Sequence, residues 1–95
     1  MPHHDYKQTL DDALRRHREG MDPKLIELPE LSVFPALICA APTTARIARI
    51  TGTLLGRPAP KFVKRGRAVR YRLADILKWL EEGETYGSNA EWHIA

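Results

Sequence analysis

Ninety-five residues supply enough chain for one small core and exclude two independent ones. A single cysteine excludes an internal disulfide framework, no apolar run reaches the length of a membrane span, and no leader-like order of charged, apolar and small residues opens the chain, so cytoplasm is the expected compartment. The net charge of +3 conceals a segregation: residues 1–30 hold five basic and seven acidic side chains, residues 31–80 hold ten basic against Asp75 alone, and residues 81–95 hold four acidic and none basic. A basic centre between acidic ends points to a polyanionic partner, with an ordinary solvated face as the plainer reading.

In chain order, DYKQTLDDALRRHRE (residues 5–19) sets Tyr6, Leu10, Ala13, Leu14 and His17 on one helical stripe, with Gly20 placed to end the helix. The stripe is thin, so the helix is expected to dock on the domain or on a second copy of the chain. MDPKLIELPEL, with two prolines, reads as an irregular linker, which sets expected boundaries at 1–30 for the amphipathic helix and linker, 31–83 for a folded domain and 84–95 for an acidic, mobile tail. Ser32 is expected to cap a short helix through VFPALICA, in which Cys39 would be a small buried hydrophobe; a buried strand is the alternative. Pro42 offers a second helix start, and TTARIARI places Ile47 and Ile50 on an apolar side backed by Arg46 and Arg49. TGTLLGRPAP, with two glycines and two prolines, then breaks the helix.

KFVK and AVRYRL flank a turn at Arg65-Gly66, and Val69, Tyr71 and Leu73 alternate with Ala68, Arg70 and Arg72, so the pair predicts a hairpin with one buried and one basic face. Leu73, Ile76, Leu77 and Leu80 follow at helical spacing, with Trp79 beside them and expected to pack on the N-terminal segment. The fold class this predicts is α+β, mainly α: two short helices, a hairpin wing and a C-terminal helix form a winged helix-turn-helix, with an extra N-terminal helix.

The run KFVKRGRAVRYRLADILKWL, and less strongly APTTARIARI, resemble the small MerR-like winged helix-turn-helix proteins that include excisionases and AlpA-type regulators, over about residues 31–83. The chain departs from their pattern in the length of TGTLLGRPAP and in Ala41 where a serine commonly caps the recognition helix, and a second alignment makes TTARIARITG the first helix. The resemblance implies that Thr43 and Thr44 meet phosphate at the helix start, that Arg46 and Arg49 reach base edges, and that Lys64, Arg65 and Arg67 at the wing tip with Arg70 and Arg72 on its strand hold the backbone.

It further implies a recombination directionality factor that binds double-stranded DNA, bends it, and assists a tyrosine integrase in excising a mobile element. An AlpA-like transcriptional regulator is the alternative, and an interaction module for an acidic protein a third. The acidic ends suit head-to-tail self-association on DNA. No enzyme, cofactor or metal is expected: phosphate-loop, dinucleotide and nucleophile-elbow motifs are absent, and His3, His4, His17, His93 and Cys39 have no metal-ligand spacing.

Overall fold

Asp5 accepts a hydrogen bond from the amide of Gln8 at 2.9 Å and so starts the first helix, α1, Tyr6–Arg18. The computed structural model describes residues 5–83. Leu10 and Ala13 of the expected stripe are buried, His17 is exposed, and the basic cluster from Arg15 to Arg18 sits at the negative end of the helix. Gly20 follows with φ of 104°, a conformation that favours glycine. The acidic segment 84–95 lies outside the described residues.

The expected linker is a structural element. After a 3₁₀ turn at Pro23–Leu25, Glu27–Pro29 forms strand β1, which pairs with a later strand, β5 (Ala68–Arg72), in the register Glu27 to Arg72, Leu28 to Tyr71 and Pro29 to Arg70. Two prolines do not prevent this, because β1 is an edge strand and pairs on one side only. Ile26 and Leu28 are buried with Leu10 and Ala13 in the same core as the C-terminal elements, so no boundary falls at residue 30.

The stretch after β1 also differs from expectation. Helix α2 is a single turn, Glu30–Val33, and Ser32 lies inside it, buried, donating its hydroxyl to the carbonyl of Tyr6 at 2.8 Å instead of capping a helix. Residues 34–40 are turns: Val33, Phe34 and Ile38 point into the core, while Cys39, next in sequence to Ile38, is exposed.

Helix α3 is Pro42–Thr51, ended by Gly52 in the left-handed region at φ of 81°. The Gly/Pro-rich segment that follows is a small ribbon, β2 Thr53–Leu54 with β3 Arg57–Pro58, whose turn residues Leu55 and Gly56 both have positive φ. Leu54 is buried and anchors it. Strands β4, Val63–Arg65, and β5, Ala68–Arg72, form the predicted hairpin, its two-residue turn shifted by one position to Gly66-Arg67. The three-stranded antiparallel sheet has the order β1-β5-β4.

Helix α4, Leu73–Glu81, begins where β5 ends, and the amide of Leu73 donates to the carbonyl of Ile26 at 2.8 Å. Leu73 and Ile76 are buried, Leu77 is half-buried, and Leu80 reaches solvent at the end of the stripe. Trp79 packs on the ribbon and not on the N-terminal segment. Its indole N–H donates to the carbonyl of Pro58 at 2.8 Å, the Arg57 guanidinium lies 3.8 Å from its ring centroid, and Arg57 also donates to the Trp79 carbonyl. The described residues thus form an α+β fold of four helices and a small antiparallel sheet. No helix among them is long and apolar enough to cross a membrane.

Candidate nucleic-acid interface

Helix α3 turns the expected orientation over. Its buried residues are Ala45 and Ala48, whose small side chains let the helix approach the core closely, whereas Ile47 and Ile50 are 60% and 78% exposed. At 100° per residue, Thr43, Arg46, Ile47 and Ile50 fall on the stripe opposite the alanines, and all four are exposed. Arg46 has no ion-pair partner among the described residues. Thr43 and Thr44 occupy the first turn, where Ala41 supplies no side-chain cap, so their backbone amides point out of the helix end beside their hydroxyls.

Arg49, expected beside Arg46 at the base edges, faces inward. Its guanidinium clamps Glu30 of α2 through Nε at 2.9 Å and Nη2 at 3.2 Å, and the Tyr71 hydroxyl donates to the same carboxylate at 3.0 Å. The guanidinium also lies 5.9 Å from the centre of the Phe62 ring, which meets Tyr71 edge-on at 6.5 Å. Arg49 is therefore a tie between α3, α2 and the sheet, and the side chain it leaves for solvent is small.

Burial, reinforced by the neighbouring Glu30 carboxylate, pushes the Tyr71 phenol well above its ordinary value of 10.0. Above that value the unfolded phenol ionises while the folded one stays protonated, so stability is expected to fall as pH rises. Thermal denaturation between about pH 8 and about pH 11, compared with Tyr71→Phe, isolates the effect. The variant should show a shallower decline; equal slopes would mean that Tyr71 is not held protonated.

The hairpin divides its basic residues between two faces. Antiparallel partners share a face, so the register places Glu27, Arg65, Ala68, Arg70 and Arg72 together and Leu28, Lys64, Val69 and Tyr71 on the other side. Tyr71 meets Glu30 and, through it, Arg49 of α3, which makes the second face the one on which α3 lies. Lys64 thus leaves the sheet on the side of α3, and Arg67 occupies the exposed turn. Arg65, Arg70 and Arg72 lie on the face turned away.

Two of those three are also engaged. Arg65 holds the Glu27 carboxylate through both Nε, at 3.2 Å, and Nη2, while Arg70 approaches it at 3.5 Å and donates to the Glu27 carbonyl at 3.2 Å. The hydrogen bonds from Arg65, with the charges of Arg65, Arg70 and Arg72, hold the Glu27 carboxyl below its ordinary range. The clamp's contribution to stability is present above the ordinary carboxylate range and lost as pH falls through the lowered value. Arg72 is exposed, and no ion pair among the described residues engages it, Lys64 or Arg67.

The nine residues singled out from the sequence therefore do not form one surface. Thr43, Thr44, Arg46, Lys64 and Arg67 lie on the α3 side and at the hairpin tip, Arg49 is internal, and Arg65, Arg70 and Arg72 belong to the opposite face. Sequence reasoning missed Ile47 and Ile50 as surface residues and Glu27 and Glu30 as the acids that restrain the arginines. The one available signal was the position of both glutamates at the ends of the apolar pair in IELPEL. Comparison with known proteins yields nothing further: no family model, no curated protein and no solved structure matches the chain.

Proposed function

We propose that this chain is a non-enzymatic protein that binds duplex DNA as a winged helix-turn-helix, with α3 in the major groove and the tip of the β4–β5 hairpin along the neighbouring backbone. The observation that carries the reading is the exposed stripe of α3. Its Arg46, without an ion-pair partner among the described residues, lies between hydroxyl and apolar side chains on the same side of the sheet as Lys64, within fifty residues that hold a single acid. A ten-residue helix is about 15 Å long, and the major groove is about 12 Å wide, so the element and the groove match in scale. The free amides of Thr43 and Thr44 suit a phosphate oxygen, and Arg46 suits guanine, which offers two acceptors to a guanidinium. The use we propose for this binding follows the resemblance to excisionases: assistance to a tyrosine integrase in excising a mobile element, several copies lying along bent DNA.

The pairing of Arg49, Arg65 and Arg70 sets a modest expectation for salt dependence. Arg46, Lys64 and Arg67 bring about three cations to the duplex, so log K against log salt should slope near −2.7, a loss of about one and a half orders of magnitude between about 50 and 200 mM salt. Fluorescence anisotropy with labelled duplexes measures it. Lys64→Ala should weaken binding and make the slope shallower by about one, whereas Glu27→Gln, which releases Arg65 on the opposite face, should leave the slope unchanged. A flat dependence, or no duplex binding at low salt, overturns the reading in favour of a protein partner. An in vitro excision reaction with and without the protein tests the proposed use: no effect on excision alongside clear duplex binding would point to the transcriptional regulator.

A further inference from the structure

We infer that Ile47 and Ile50 are specificity-determining residues that read the C5-methyl groups of thymine, so that the preferred duplex carries thymines beside the guanine met by Arg46. The inference rests on the DNA-binding reading proposed above and extends it to the chemistry of the site.

Two isoleucines 60% and 78% exposed on one short helix are unusual companions for Arg46. The core does not use them, since Ala45 and Ala48 make the helix's inward contacts. They do not form a broad apolar patch of the kind that joins protein subunits, because Thr43 and Arg46 share their stripe. The major groove, by contrast, offers an apolar group at only one kind of base, the methyl of thymine, set among acceptors that suit a guanidinium. Ile47 and Ile50 are three residues apart, about 4.5 Å along the helix axis, which is comparable to the roughly 3.4 Å between successive bases. An acidic side chain would repel the backbone, and α3 has none.

The test uses the full chain. Duplexes selected from a random pool by the protein would have each thymine replaced in turn by deoxyuridine, which removes the methyl and leaves the hydrogen-bonding edge unchanged. At one or two positions this should weaken binding about fourfold per methyl, the equivalent of one buried carbon. Ile47→Ala and Ile50→Ala, at exposed positions where folding can be verified by circular dichroism, should each bind the thymine and deoxyuridine duplexes equally at its own position. Selected duplexes that bind the protein but tolerate deoxyuridine everywhere would overturn the inference and leave the DNA-binding reading standing. A deoxyuridine effect that persists in both variants would assign the methyl contact to another residue and also overturn it. Failure of the selection to yield any bound duplex removes both readings. Loss of self-association in the variants, with no change in DNA preference, would make this face a contact between copies.

Discussion

Tyr71→Ala is expected to destabilise the protein by about 3 to 5 kcal/mol, enough to leave a domain of this size largely unfolded. Among the described residues Tyr71 is the largest fully buried side chain, and it stands where the sheet meets the helices. Its ring packs edge-on against Phe34 at 5.7 Å and against Phe62 at 6.5 Å, and its hydroxyl ends on Glu30. Removing it opens a cavity between sheet and helices and takes one hydrogen bond from a carboxylate that has few substitutes. Tyr71→Phe removes only the hydroxyl and should cost about 1.5 kcal/mol, the scale of a hydrogen bond to a charged group. Urea denaturation of both variants gives the comparison. A loss below about 1 kcal/mol for the alanine variant would mean that the centre of the sheet is not the centre of the core.

The second large effect is expected at Glu30. Glu30→Ala leaves the Arg49 guanidinium and the Tyr71 hydroxyl without their shared acceptor, and breaking such a pair from one side is far more damaging than removing both partners. The side chains of Arg49 and Glu30 remain 21% and 17% exposed, so water can partly replace the carboxylate, and the expected loss is about 2 to 3 kcal/mol. The double variant Glu30→Ala with Arg49→Met should recover part of it; a double-mutant cycle with no coupling would sink the assignment. Arg49→Met alone should lower stability while leaving the ratio of cognate to random DNA binding unchanged. This is the opposite of what a base-reading arginine would show.

What was legible in the sequence was local. Gly20 closes α1, Gly66 permits the positive φ of the hairpin turn, and the change at Leu73 from alternating to helical spacing marks where β5 becomes α4. In each case one residue's backbone preference or one periodicity acts on neighbours a few positions away. Charge segregation is of the same kind, since it requires only counting along the chain.

The orientation of α3 was settled elsewhere. Isoleucine outranks alanine in hydrophobicity, so periodicity assigned Ile47 and Ile50 to the core, but the inward side of α3 carries the smaller Ala45 and Ala48 together with the Arg49–Glu30 pair to α2. The linker prolines likewise hid strand β1, because edge pairing depends on a partner more than forty residues away at Arg72. Which arginines are held was equally invisible: Glu27 meets Arg65 and Arg70 only once β1 lies against β5. The sequence by itself therefore determined the end of α1 at Gly20, the existence of the hairpin and of α4, and the basic middle of the chain. Tertiary structure alone decided which face of α3 meets solvent and which arginines meet Glu27 and Glu30, because both depend on volumes and charges brought together from distant segments.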